Sequence, residues 1–335
     1  MSLPTRPLGT TGMQITRVGF GAWAMGGGGW AFSWGPQDDD ESVAALRHAV
    51  ESGVNWVDTA AVYGLGHSEE VVARALEGIP AADRPYVFTK CGLRWDPADP
   101  YRPAQRVGDP KSLAEEVEAS LRRLKLDVID LYQMHWPPDD GARTEDYWGA
   151  LLELKRQGKI RAAGLSNHNV AQLEAAEALG HVDSLQPPFS AIKRSAAPEI
   201  AWCDAHGTGV IVYSPMQAGL LTGTFTEERA SSLHADDWRA RDPEFQGERL
   251  GRNLALAAAL RPVANRLGTT VPAVAIAWVL SWQGVTGAIV GARSPGQVDG
   301  WLPAADLELT ADDLDEIERA IASTGAGQGP TGPGA

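Results

Sequence analysis

The run Val54-Asn55-Trp56-Val57-Asp58-Thr59-Ala60-Ala61-Val62-Tyr63-Gly64 decides the fold class. Apolar residues crowd its first half and a glycine closes it, which predicts a short buried strand entering a loop. Asp58 ends the apolar part, where a carboxylate needs a cation or several donors to offset its burial. Tyr63 follows just past the strand end. Singly, each has an ordinary explanation, the Asp as an N-cap or turn former and the Tyr as packing.

Two later runs repeat the arrangement. Tyr86 to Thr89 leads into Lys90, and Val128 to Met134 leads into His135. An acid, a phenol, an amine and an imidazole therefore stand at the C-terminal ends of three strands, the edge where parallel α/β folds gather their chemistry. A lysine closing a buried strand requires an anion, and Asp58 is the available one. An ammonium beside a phenol favours the phenolate. Lys90 is thus expected to pull the Tyr63 pKa down from about 10, toward the range of a general acid near neutral pH.

The chain has 335 residues and 44% hydrophobic content, enough for one large core, and α/β barrels routinely exceed 200 residues as one domain. No Pro/Gly/Ser linker interrupts the pattern before the tail. One domain is expected over residues 1–322, with a flexible tail over 323–335. The net charge of −14, with no concentrated run of Lys or Arg, argues against a nucleic-acid or anionic-membrane partner. Cys91 and Cys203 form no metal or redox spacing, and no signal peptide or long uncharged apolar segment is read, so a cytoplasmic location is expected. Cys91 should point to the opposite side of its strand from Lys90.

Residues Leu3 to Gly12 carry turn signals that suit an N-terminal turn or hairpin covering one end of a barrel. Strand and helix patterns then alternate. The first strand, Val18 to Gly21, precedes a helix over Asp40–Ser52, and the second ends at Asp58 before a helix over 68–77 with Ser68 as N-cap. The third ends at Lys90 and opens a long loop, Gly92 to Pro110, before a helix over 111–124. The fourth ends at His135 and is followed by a helix over 144–157, stopped by Gly158. Strands five, six and seven are read at 160–165, 182–186 and 210–213. A long insertion, Met216 to Arg252, precedes helices over 254–267 and 271–282. The eighth strand, 287–290, leads to a short helix and a last amphipathic one over 312–321. Eight such units predict an α/β fold of one (β/α)8 TIM barrel with a C-terminal extra helix; a doubly wound sheet fits less well.

Gly19-Phe20-Gly21-Ala22-Trp23-Ala24 matches a dinucleotide fingerprint, but that motif must open a helix at once. Gly26 to Gly29 and Trp30 follow instead. The stretch is read as a loop lining a pocket.

The ordered set Asp58, Tyr63, Lys90 and His135 resembles the catalytic tetrad of the aldo-keto reductase family. The resemblance extends over Gly53 to Ala60 with Tyr63-Gly64 and Ser68-Glu69, Thr89-Lys90, Asp127 to Trp136, Gly158 to Asn167, Gln186-Pro187-Pro188-Phe189 and Gly219 to Gly223. Within the family the chain looks most like the bacterial branch of general stress protein 69, through His135-Trp136-Pro137 and Gly291-Ala292-Arg293 with Pro295-Gly296-Gln297. The resemblance implies a monomeric barrel that binds NADP(H) across its strand ends and reduces the carbonyl of an aldehyde or ketone. Ser166, Asn167 and Gln186 would hold the nicotinamide carboxamide, and Tyr213 would stack on the ring. Ser214, Gly219 and Leu220 would follow the pyrophosphate, Gly291, Arg293 and Gln297 would meet the adenosine end, and Gly21 and Trp23 would belong to the cofactor side of the first loop. Trp30, Trp95 and Trp136 would wall the substrate pocket. Tyr63 would be the general acid, assisted by Lys90, Asp58 and His135.

The residue types suit these roles: amides and hydroxyls for a carboxamide, an aromatic plate for a flat ring, a guanidinium for a phosphate. Two departures stand out. Ala218 and Thr224 occupy places where many members carry Arg and Lys, and Gly300-Trp301 replaces a common Glu-Asn pair. Both departures weaken the match at the adenosine end; NADP(H) is the preferred cofactor that the resemblance implies, with NAD(H) as the alternative. Two competing functions are a nucleotide-binding sensor or regulatory subunit with little turnover, and a metal-dependent hydrolase. The last ranks lowest, because no His-x-His lies at the first strand and no metal site is read.

Overall fold

Alternate residues of a strand face opposite sides, and in a closed sheet one side becomes an interior. A computed structural model describes residues 3–333. Two short antiparallel strands, β1 (Thr5–Pro7) and β2 (Gln14–Thr16), form the expected hairpin. The barrel strands follow: β3 (Val18–Gly21), β4 (Trp56–Asp58) and β5 (Tyr86–Cys91). After a small hairpin of β6 (Leu93–Arg94) and β7 (Gln105–Arg106) in the long loop come β8 (Ile129–Met134), β9 (Ile160–Ser166), β10 (Ser184–Gln186), β11 (Gly209–Val212) and β12 (Val285–Gly291). The eight barrel strands close in the order β3-β4-β5-β8-β9-β10-β11-β12, all parallel. This is the (β/α)8 barrel; the doubly wound sheet is excluded because the sheet has no open edge.

Inside the barrel, Trp56, Phe88, Leu131, Ala162, Ile211 and Ile289 pack with Leu8, Met13 and Ile15 of the hairpin region into an apolar plug. Trp56 fills most of the floor, and its indole N–H donates to the Thr16 carbonyl at 2.8 Å. Gly19 lies beside it on the neighbouring strand β3: a Cβ there would lie 2.1 Å from the indole. The glycine of the apparent fingerprint is therefore a packing glycine. Two residues further along three neighbouring strands, the same inward face carries Asp58, Lys90 and Gln133, so the apolar floor gives way to a polar layer at the strand ends.

The helices α1 (Asp39–Glu51), α2 (His67–Leu76), α3 (Pro110–Leu124), α4 (Thr144–Arg156), α5 (Val170–Glu177) and α6 (Ala197–His206) cover the outside. Their apolar faces meet outward residues such as Val57, Val87 and Tyr132 in one continuous core. The insertion holds α7 (Glu227–Ser231) and the start of α8 (Gly247–Ala259). The helix expected over 254–267 is broken: α9 (Arg261–Arg266) is separate, because Pro262 fits only a helix's first turn. Then come α10 (Val271–Leu280), α11 (Pro295–Trp301) and α12 (Ala311–Thr324).

One local expectation is corrected. Ser68 does not cap α2, which starts at His67 with Gly66 as N-cap. Its hydroxyl is buried and bonds instead to Thr59 Oγ1 and the Ala22 carbonyl, tying the helix to two strand ends. The segment read as a tail over 323–335 begins inside a helix. Residues 323 and 324 belong to α12, and residues 326–329 lie against the loop after β10. Gln328 exchanges backbone bonds with Ile192 and Arg194, and the Arg194 guanidinium donates to the Ala326 carbonyl at 3.2 Å. Polar composition hid this, because the contacts are made by backbone. Gly334 and Ala335 lie outside the described residues.

Candidate active site

β4, β5 and β8 deliver Asp58, Lys90 and, one residue beyond the strand, His135 to one end of the barrel. Lys90 Nζ donates to Asp58 Oδ1 at 2.5 Å and to the Thr59 carbonyl at 2.8 Å. Both side chains are buried. Burial lowers the lysine pKa, while Asp58 acts in the opposite direction.

Tyr63 is held by a close meeting of two backbones. A Cβ on Gly64 would lie 2.2 Å from the Gly26 carbonyl oxygen, so the loop after β3 can pack directly on the loop that carries the phenol. Lys90 Nζ sits 5.2 Å from the Tyr63 ring centre, and the His135 ring stands edge-on to that ring with centroids 5.7 Å apart. Among the described residues, neither the Tyr63 hydroxyl nor the His135 ring nitrogens have a hydrogen-bond partner, and both side chains line the cavity described below.

The expected downward shift of Tyr63 is overturned. Burial pushes the phenol well above its ordinary value, and the charges of Asp58 and Tyr213 add to that direction. The ammonium of Lys90 is already paired with Asp58, so a phenolate would meet no net positive charge. Burial, followed by the Lys90 charge, pushes His135 well below the usual imidazole value. A neutral phenol and a neutral imidazole thus face the same space.

That space is a cavity of about 1470 Å³ running across the strand ends. On one side its wall includes Trp30, Trp95 and Trp136. Gly21, Trp23, Ser166, Asn167, Gln186, Tyr213, Ser214, Gly219, Gly291, Arg293 and Gln297 also line it. Leu220 does not: its side chain is fully buried in the outer core. Lys90 lies behind the wall.

Near the polar layer, Asn167 adopts a left-handed backbone at φ 63°, which asparagine tolerates. Its Oδ1 accepts from the Tyr213 hydroxyl at 2.9 Å, and its Nδ2 donates to the His135 carbonyl at 2.9 Å. One side chain thereby fixes the aromatic plate and the strand end that bears the imidazole. The Ser166 hydroxyl donates to the Gln186 carbonyl at 2.8 Å. Gln186 itself turns its Nε2 toward Asp58 Oδ2 at 2.9 Å.

At the far end four guanidiniums, Arg229, Arg239, Arg261 and Arg293, line the cavity. Arg293 donates to Gln37 Oε1 at 2.5 Å and to the carbonyls of Trp34 and Pro36. Its pKa is lowered by burial and by the charges of Arg239 and Arg229, with Asp237 opposing. Arg239 is gripped by Asp237 through bonds of 2.5–3.2 Å, stacks 4.7 Å above the Trp34 ring and donates to the Ala218 carbonyl. The insertion reaches this place by crossing the β3 loop: the backbone N–H of Trp238 donates to the Ser33 carbonyl, and the Trp238 ring stacks on Trp23 with centroids 5.4 Å apart.

Sequence reasoning missed Arg239, Trp34 and Trp238, for which an irregular insertion gives no periodic signal. It also missed Gln133, which does leave one. Gln133 is polar within Asp130-Leu131-Tyr132-Gln133-Met134 and shares the inward phase of Leu131 and His135. Among the described residues no three His, Cys, Asp or Glu side chains gather as a metal-binding group.

The chain matches the profile of the Aldo/keto reductase family over residues 17–322. It is 34% identical over 316 residues to "Aldo-keto reductase YhdN" of Bacillus subtilis (strain 168), covering 94% of this chain and 92% of that one. It is 34% identical over 317 residues to the "NADH-specific methylglyoxal reductase" of Escherichia coli (strain K12), covering 91% and 94%. Among solved structures, the glycerol dehydrogenase AKR11B4 from Gluconobacter oxydans superposes with a TM-score of 0.87 at 35% identity, covering 98% of each chain. With its closed barrel, the chain belongs to the aldo/keto reductase family, oxidoreductases that use a nicotinamide cofactor and act on small-molecule carbonyl compounds.

Proposed function

We propose that this protein reduces the carbonyl of an aldehyde or ketone with NADPH, using Tyr63 as proton donor. The observation that carries the reading is the neutral Tyr63 phenol, free toward the cavity beside the His135 edge, with the Lys90–Asp58 pair directly behind it. The wall suits the cofactor. It has a tethered aromatic plate at Tyr213, a hydroxyl and two amides beside it, and a cluster of guanidiniums in which the charges of Arg239 and Arg229 act on Arg293 against that of Asp237. In a chain of net charge −14, such a cluster favours a phosphate-bearing ligand.

Arg239, beside Ala218 and Gly219, is assigned to the pyrophosphate, and Arg293, beside Gln297, to the 2′-phosphate that separates NADP(H) from NAD(H). These two supply cations that the sequence lacks at Ala218 and Thr224.

Bound there, a reduced nicotinamide supplies hydride. Tyr63 gives its phenolic proton to the carbonyl oxygen as charge builds on it. His135, neutral, donates a hydrogen bond to the same oxygen and orients it. Lys90 stabilises the phenolate left behind, and Asp58 keeps the ammonium in place. The aromatic walls limit water around the reacting oxygen. The test is oxidation of NADPH and of NADH at 340 nm against a panel of aldehydes and ketones, with Tyr63→Phe alongside. Turnover that collapses in the variant supports the reading; nucleotide binding without turnover on a broad panel replaces it with a sensor role.

A further inference from the structure

Asp58 uses only one oxygen on Lys90. Its other oxygen, Oδ2, accepts from Gln186 Nε2 at 2.9 Å and from Gln133 Nε2 at 3.4 Å. Gln186 Nε2 also donates to Gln133 Oε1 at 3.2 Å. Both glutamines are buried, Gln133 completely. A carboxylate can only accept, so each amide must turn its nitrogen toward Asp58, and the usual ambiguity over which end of a glutamine is which does not arise. The consequence falls on Gln186. With its nitrogen committed to Asp58 and Gln133, its Oε1 has no protein donor among the described residues, and Gln186 is on the cavity wall while Gln133 is not.

Gln133 has room inside the barrel because the next strand carries Gly164 opposite: a Cβ there would come within 3.0 Å of Gln133 Cγ. Gln133 is also the register partner of Lys90 across β5 and β8. It therefore stands between the ion pair behind the proton donor and the amide that faces the cavity.

We propose that Gln133 is a positioning residue that, together with Asp58, clamps the Gln186 side chain so that its carbonyl oxygen is presented to a primary-amide N–H of the bound cofactor. The proposal rests on the cofactor reading above and adds to it a coupling: the carboxylate that holds the lysine also sets which end of Gln186 the carboxamide meets. A free glutamine in a wet pocket would offer either end. A clamped one accepts a donor and rejects a ligand that lacks it, because an unmet buried acceptor is costly.

The experiment compares binding, by quenching of intrinsic fluorescence, of three probes: NADPH, its reduced 3-acetylpyridine analogue, in which a methyl replaces the carboxamide NH₂, and 2′-phospho-ADP-ribose, which has no nicotinamide. The wild type should prefer NADPH over the acetylpyridine analogue by about tenfold, the factor that one hydrogen bond of about 1.4 kcal/mol gives. In Gln133→Met, which keeps the volume and removes the amide, that preference should fall to about twofold or less, with 2′-phospho-ADP-ribose binding unchanged. A change confined to the NADPH-to-analogue ratio is one a merely structural role would not produce. If Gln133→Met does not fold, the same ratio is read in Gly164→Ala, whose added methyl displaces Gln133 with its amide intact; a value between wild type and twofold is expected. A variant that folds and keeps the full wild-type preference overturns the proposal. Failure of the wild type to bind 2′-phospho-ADP-ribose at all would overturn the cofactor reading, and the proposal with it.

Discussion

Lys90 Nζ donates to Asp58 Oδ1 at 2.5 Å, and both side chains are buried. Removing one partner of a buried ion pair leaves the other charge unmatched, at a cost of about 3–5 kcal/mol. Lys90→Met should lower the free energy of unfolding in urea by about that much. Asp58→Asn combined with Lys90→Met should recover most of the loss without recovering activity. A double variant as unstable as the single one would show that the charge is not what matters.

The raised phenol of Tyr63 has a kinetic consequence. A donor whose pKa lies above 10 stays protonated through the neutral and mildly alkaline range, so ionisation of Tyr63 should not limit kcat/KM for reduction below pH 10. Tyr63→Phe should cost about 10²–10⁴-fold in kcat with cofactor affinity near that of the wild type. An alkaline inflection near pH 7–8 that disappears in Tyr63→Phe would restore the downward shift expected from the sequence.

The two arginines should separate by cofactor. Arg293→Ala is expected to weaken NADPH by roughly tenfold or more, the worth of a hydrogen bond to a charged group, and to leave NADH nearly unchanged. Arg239→Ala should weaken both, since the pyrophosphate is common to them. Isothermal titration with each nucleotide decides it; equal losses in Arg293→Ala would move that residue away from the 2′-phosphate.

His168 contributes a pH dependence to stability. Its Nδ1 lies 2.8 Å from the Ser166 carbonyl, Nε2 is buried without a partner, and burial brings its pKa down to about 4. The unfolded chain, titrating near 6.5, binds the extra proton between those values. Stability is therefore complete above about pH 6.5 and falls as the pH drops toward 4, by about 3 kcal/mol from this residue. His168→Asn should flatten the curve of unfolding free energy against pH over that window, and an unchanged slope would assign the acid sensitivity elsewhere.

Gly19 and Trp56 should behave as a unit. A methyl at Gly19 would lie 2.1 Å from the indole, and overpacking of a filled core costs about 1–3 kcal/mol or more. Gly19→Ala should lower the midpoint of thermal unfolding, and Trp56→Leu in the same chain should return part of it. If the two losses simply add, the glycine is needed for its backbone and not for the space.

The sequence by itself determined the period of the fold. Eight apolar runs separated by helical patterns leave a closed parallel sheet as the fitting arrangement, and Asp58, Lys90 and His135 were legible because charged or basic groups closing buried runs conflict with burial and so mark themselves. Gln133 was legible in principle for the same reason. The tertiary structure alone decided what those groups do to one another. Tyr63 is raised and not lowered because it is buried and faces the charges of Asp58 and Tyr213, while Lys90 spends its charge on Asp58, an arrangement that no spacing encodes. Arg239, Trp34 and Trp238 come from an insertion without periodicity, and their meeting depends on where the loops fold back. Residues 326–329 are composed like a free tail, yet their backbone bonds to Ile192 and Arg194, which the identity of their side chains does not record. Local pattern fixes which face of an element is apolar; only the closed barrel brings faces from distant strands within hydrogen-bonding reach, and charge pairing, burial and therefore proton affinity are settled there.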